Sequence, residues 1–131
     1  MLKTQKQHQE FNALAEQVIQ YAEKSGYQEI KADFVGYESP ASLTSVNKEV
    51  AFTPDFTAQR DGKKFYFELV VKNTNEDDNR KLITKWKALE AIAKIKGGFL
   101  QLFVPSGCFK FATSLLKDNG IEARLVKLQA K

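Results

Sequence analysis

Asp55 and Glu68 are the two residues of this chain best placed to do chemistry together. Between them lies Asp61-Gly62, a strong two-residue hairpin signal, because both positions of such a turn require positive φ. With that loop, Arg60 pairs with Lys63, Ala58 with Phe65 and Phe56 with Phe67. The same register sets Asp55 directly opposite Glu68. Directly opposed side chains in an antiparallel pair have Cβ atoms about 5 Å apart, and like charges there repel. Such a pair coexists by sharing a divalent cation, by sharing a proton, or by both acids being hydrated on a wet face. A one-residue bulge would turn Glu68 to the other face and dissolve the pair.

Other reactive residues stand alone. His8 is the only histidine and has no cysteine or histidine partners, which argues against a zinc site. Cys108 is the only cysteine and lacks the setting of a thiol enzyme, so it reads as structural. No Gly-rich phosphate loop, Gly-x-Ser-x-Gly elbow or dinucleotide fingerprint occurs.

The elements that must position the acids follow from periodicity. Phe11, Leu14, Ala15, Val18, Ile19 and Ala22 recur at helical spacing, which predicts a helix over 9–24 ended at Ser25-Gly26. Ile30, Ala32 and Phe34 alternate with Lys31, Asp33 and Val35 and predict a strand; residues 36–47, with Gly, Pro and several Ser, read as a loop. Residues 50–60 form the next strand, with Val50, Phe52, Phe56 and Ala58 on one face. The strand after the turn runs from Lys63 to about Lys72, with Phe65, Phe67, Leu69 and Val71 on one face and Lys64, Tyr66, Glu68, Val70 and Lys72 on the other. Asn73-Thr74-Asn75 can cap a helix whose first turn holds Glu76, Asp77 and Asp78, where the dipole favours acids. That helix ends at Gly97-Gly98. The apolar run 99–104 reads as a buried strand, a third helix ends at Asn119-Gly120, and residues 121–128 form a last strand. The order α-β-β-β-α-β-α-β, a hairpin followed by a helical crossover, predicts an α/β domain over 1–131 with a mixed central sheet flanked by helices.

Pro54-Asp55, the hairpin, and Phe67-Glu68-Leu69-Val70-Val71-Lys72 together resemble the PD-(D/E)xK superfamily of metal-dependent nucleases. The core of that family is a helix, a three-stranded meander, a crossover helix and a fourth strand; the matching order here spans residues 9–105. Lys85-Trp86 and Phe103-Val104-Pro105 also look like divergent members. The resemblance implies a restriction-endonuclease-like three-layer sandwich and hydrolysis of phosphodiester bonds in DNA. Asp55 and Glu68 would hold Mg²⁺ or Mn²⁺, which polarises the phosphate and lowers the pKa of an attacking water. The family lysine, two residues after the acid, is replaced here by Val70. Two lysines can stand in for it. Lys72 is the next residue on the same strand face, about 6.6 Å further along. Lys85 falls within the apolar arc of Leu82, Trp86, Leu89 and Ile92 on the crossover helix, a migration known in the superfamily. Each also has an ordinary reading, Lys72 as a solvated strand end and Lys85 as a snorkelling side chain. For the first-helix carboxylate of many members, Glu16 and Glu10 lie near the position, and neither faces it well. Without the lysine, the alternative is a catalytically inactive module of the same fold that binds nucleic acid or a protein.

Charge and composition are compatible with this and do not demand it. Lys plus Arg number 20 against 16 acids, a net charge of +4, which permits a polyanionic partner. Lys81, Lys85, Lys87, Lys94 and Lys96, with Lys72 and Arg80 nearby, could meet a phosphate backbone or form a solvated helix face. A polar N-terminus, one cysteine and no long apolar run predict a complete cytoplasmic protein without a membrane segment. A homodimer would suit cleavage of both strands.

Overall fold

The computed structural model describes residues 9–32, 36–44, 51–71 and 75–128. Helix α1 (Gln9–Lys24) buries Ala15, Val18, Ile19 and Ala22, the face its spacing predicts. After Gly26 the chain enters β1 (Gln28–Ala32). Two short strands, β2 (Leu43–Thr44) and β3 (Ala51–Phe52), pair antiparallel as a separate small sheet. Then come β4 (Phe56–Arg60), β5 (Lys63–Leu69), α2 (Glu76–Ile95), β6 (Leu100–Val104), α3 (Phe109–Asn119) and β7 (Arg124–Lys127). The main sheet has the order β1-β4-β5-β6-β7, antiparallel on the β1 side of β5 and parallel on the β6 side. The α/β class and the mixed sheet are as expected.

Helices cover both faces of the sheet, and two cores result. On one face α1 packs on Phe56, Phe65, Phe67 and Phe103. Tyr27 meets both Phe65 and Phe67 edge-on at 5.1 Å between ring centroids. Fully burying one such side chain is worth roughly 2–3 kcal/mol, so this cluster clamps the β4–β5 hairpin to α1. On the other face Trp86, Leu89 and Ala93 of α2 and Ala112 and Leu116 of α3 pack on Tyr66, Val70, Leu100, Leu102 and Val104.

Local chemistry explains most boundaries. Asp61 and Gly62 both adopt positive φ, 55° and 76°, as the two-residue turn requires. Asn75 caps α2, its side-chain oxygen accepting the N–H groups of Asp77 and Asp78 at 2.8 and 3.2 Å. At Gly98 a Cβ would overlap the Lys64 carbonyl, so only glycine lets the chain pass from α2 into β6 this close to β5.

Three expectations need correction. Leu43-Thr44 lies in the stretch read as loop, yet forms a strand with Ala51-Phe52; two residues carry no periodic signal. The strand expected over 50–60 is broken at Thr53-Pro54-Asp55, because Pro54 has no N–H for a ladder. Phe52 consequently packs toward the α2 core rather than with Phe56. Finally, the β5 ladder ends at Leu69, short of Lys72, although the Val70 N–H still bonds the Phe103 carbonyl at 2.9 Å.

The sheet has two outer strands. In β1 the pairing with β4 shifts between Gln28 and Lys31, with Glu29 at φ 49°. Its outer side is partly covered: the Ala32 N–H bonds the Glu38 carbonyl at 2.9 Å, and Lys31 pairs with the Glu38 carboxylate at 3.1 Å. The outer strand β7 has four residues and carries Arg124 and Lys127. Among the described residues no helix is long and apolar enough to cross a membrane.

Candidate functional site

The β4–β5 ladder runs from Arg60↔Lys63 to Phe56↔Phe67, the register set by the turn. One step further, at Asp55 just short of Pro54, side chains bridge the two segments. The Asp55 N–H donates to Glu68 Oε2 at 2.7 Å, and the Leu69 N–H donates to Asp55 Oδ2 at 3.0 Å. Each carboxylate therefore has one oxygen fixed by the other strand's backbone. The remaining two oxygens share one neighbour: Lys85 Nζ lies 2.9 Å from Glu68 Oε1 and 3.6 Å from Asp55 Oδ1.

Lys85 reaches the pair because α2 crosses the face of the sheet that carries Asp55 and Glu68. Trp86 and Leu89 anchor that face of the helix in the core, and Lys85 sits at its margin, its stem lying along apolar surface. The group is graded in depth. Glu68 is 2% exposed, Lys85 22% and Asp55 40%, by side chain. Glu68 is deepest because β5 is central, paired with β4 on one side and with Leu102 of β6 on the other.

Burial is the main force pushing the Glu68 carboxyl up to about 8, and the Asp55 carboxylate adds to it; Lys85 and the Asp55 N–H pull the other way. Burial alone would lower the Lys85 pKa, but the Asp55 and Glu68 carboxylates outweigh it, and the ammonium is held above its ordinary value. Two acids thus share one ammonium. The group balances by keeping a proton on Glu68 or by admitting a second cation. Oδ1 and Oε1 are hard oxygen donors of the kind Mg²⁺ or Mn²⁺ takes, and the point they share is held by the Lys85 ammonium, so an ion would have to displace Nζ or sit beside it. Among the described residues no group of three or more His, Cys, Asp or Glu side chains could hold a metal. The protein would supply two carboxylates, with water and phosphate completing the shell, a common arrangement for Mg²⁺.

The other candidates fall elsewhere. Val70 is 1% exposed in the core beneath α2 and α3. Lys72, His8 and the Glu10 side chain lie outside the described residues. Glu16 is exposed on α1, which covers the opposite face of the sheet, and is not brought to the pair. Cys108 precedes α3, half-buried and without a capping bond from its side chain. The basic residues of α2 do not act as one patch. Lys81 and Lys85 line a cleft of about 520 Å³ with Ala51, Phe52, Asp77, Arg80 and Thr84. Lys94 instead contacts Glu90 and Glu122 near the C-terminal end of α2, at 3.7 and 3.8 Å. Twenty helical residues span about 30 Å, so one helix carries two separate basic regions. Phe52 carried no sequence signal for a site, since the proline break hides which face it takes.

The buried valine has a testable consequence. Val70→Lys restores a lysine two residues after the acid but places its stem in a packed core. We expect a loss on the order of 3 kcal/mol in unfolding free energy, measured by urea titration. An unchanged midpoint would show that this strand position accepts a lysine freely.

Family models, curated proteins and solved structures were all compared with this chain, and none of them matches it.

Proposed function

We propose that the chain is a cytoplasmic, metal-dependent nuclease of the PD-(D/E)xK, restriction-endonuclease-like type that hydrolyses phosphodiester bonds in DNA. One observation carries this reading: an ammonium from the crossover helix, Lys85, contacts both carboxylates of the hairpin. Asp55 and Glu68 would hold Mg²⁺ or Mn²⁺. When bound, that ion supplies Lewis-acid polarisation of the phosphate and a water of lowered pKa.

The chain's own residues set the geometry. The Asp55 and Leu69 N–H groups each hold one carboxylate oxygen, which leaves Oδ1 and Oε1 turned toward Lys85 and available to an ion beside it. Asp55, the more exposed acid, stands where solvent and a phosphate can reach it. Lys85 is held as an ammonium at neutral pH, so it serves as a donor and a positive charge rather than as a proton acceptor. It can orient the water oxygen that forms the new P–O bond and offset charge on the phosphate as the ester oxygen leaves.

The buried Val70 favours a second reading. In it Lys85 merely neutralises a relic acid pair, and the domain binds nucleic acid or a protein without cleaving. Calorimetric titration of Mg²⁺ and Mn²⁺, followed by a DNA cleavage assay, separates the two. The nuclease reading expects binding heat and metal-dependent cleavage in the wild type, both lost in Asp55→Asn. DNA binding without cleavage, unaltered in Asp55→Asn, would establish the second reading instead.

A further inference from the structure

The cleft that Lys85 lines has two unlike walls. One is the small β2–β3 sheet, which presents Ala51 and the half-buried ring of Phe52. The other is the N-terminal half of α2, which presents Asp77, Arg80, Lys81, Thr84 and Lys85. Three cations face one acid, and that acid, Asp77, is paired with Arg80 in an exposed contact. Exposed pairs of this kind contribute little and exchange partners readily. Lys81 has no ion pair among the described residues. Lys81 and Lys85 stand one helical turn apart on the same face, about 6 Å along the axis. That step leads from the cations at Arg80 and Lys81 toward the ammonium that holds the carboxylates.

An aromatic ring opposite a basic helix face is the pairing that single-stranded nucleic acid uses: phosphates on the cations, a base on the ring. A duplex keeps its base faces stacked inside and cannot offer one to Phe52 without flipping a nucleotide out. We infer that this cleft is a single-strand groove in which Phe52 stacks on a base and Arg80 and Lys81 take phosphates, leading the strand to Lys85 and Asp55. The inference rests on the nuclease reading for its substrate, and it can fail separately from it.

The test is fluorescence anisotropy on the wild-type protein in chelator, so that nothing is cut. The probes are a labelled oligodeoxythymidylate of roughly ten nucleotides and the corresponding duplex. The single strand should bind at least tenfold more tightly. Phe52→Leu keeps apolar bulk against the core and removes the ring; it should weaken single-strand binding about tenfold and leave the duplex unchanged. Arg80→Gln with Lys81→Gln, both exposed, should reduce the slope of log K against log salt by about 1.4, the value for two phosphates of a single strand. Equal affinity for the duplex, an inert Phe52→Leu, or an unchanged salt slope would each overturn the groove. Single-strand binding without metal-dependent cleavage would remove the nuclease reading and leave the groove standing. Duplex cleavage without single-strand preference would do the reverse.

Discussion

If the chain is the nuclease proposed above, Lys85→Met protein will fold and will cleave DNA at least about a hundredfold more slowly than the wild type, on the scale of a lost positioned donor in a transition state. Methionine keeps the apolar stem against the α2 core and removes only the charge. Asp55 and Glu68 then face each other with no ammonium between them. The Glu68 carboxyl, already pushed up to about 8 against the pull of Lys85, will rise further. The alkaline shift of the cleavage profile, read over the pH range in which urea titration shows both proteins fully folded, distinguishes this role from a structural one. Single-turnover rates across pH, with Lys72→Met as the comparison, are the measurement. A normal rate in Lys85→Met together with a collapsed rate in Lys72→Met would return the role to Lys72.

The second large effect is the pH dependence carried by Glu68. Its carboxyl titrates near 8 in the fold against an ordinary 4.5, so the folded state holds the proton more tightly than the unfolded chain. The resulting stabilisation is fully present below about 4.5 and is lost as pH rises through about 8. Its ceiling is on the order of 5 kcal/mol in the metal-free protein. Glu68→Gln cannot titrate, so it should flatten this part of the curve and be the more stable protein at pH 8. Metal runs the other way. If Asp55 and Glu68 hold the proposed ion, binding needs the Glu68 carboxylate, so Mg²⁺ affinity should climb toward tenfold per pH unit below about 8 and release close to one proton per ion. Urea unfolding of both proteins across pH, and calorimetry in buffers of different ionisation enthalpy, measure the two effects. Parallel stability curves for wild type and Glu68→Gln would refute this account of Glu68.

The facing of Asp55 and Glu68 was readable from the sequence because two constraints are nearly rigid. A two-residue turn at Asp61-Gly62 leaves one register, and the period of two in a strand leaves one face. The lysine on the helical wheel was readable too, since Leu82, Trp86 and Leu89 define the arc in which Lys85 lies. The depth of Glu68 was not. Lys64, Tyr66, Glu68 and Val70 read as a polar or mixed face, yet Tyr66 and Val70 are core, because α2 and α3 cover that side. Alternation reports contrast between faces and is blind to a sheet buried on both. The exchanged N–H bonds were also hidden. They arise where Pro54 ends the ladder and the acids replace main-chain partners across the gap. No sequence pattern joined Phe52 to Arg80 and Lys81, which come together only through the cross-layer placement of the small sheet.

The two outer strands bear on how copies of this chain meet. A long, flat, unguarded edge invites a second chain to add its own strand, the usual start of sheet-mediated aggregation. Here the irregular pairing and left-handed Glu29 of β1 twist one edge, and the 36–38 segment occupies part of it. The four-residue β7, with Arg124 and Lys127, sets charge along the other. Among the described residues both margins are of the kind that discourages strand-by-strand fibrous association.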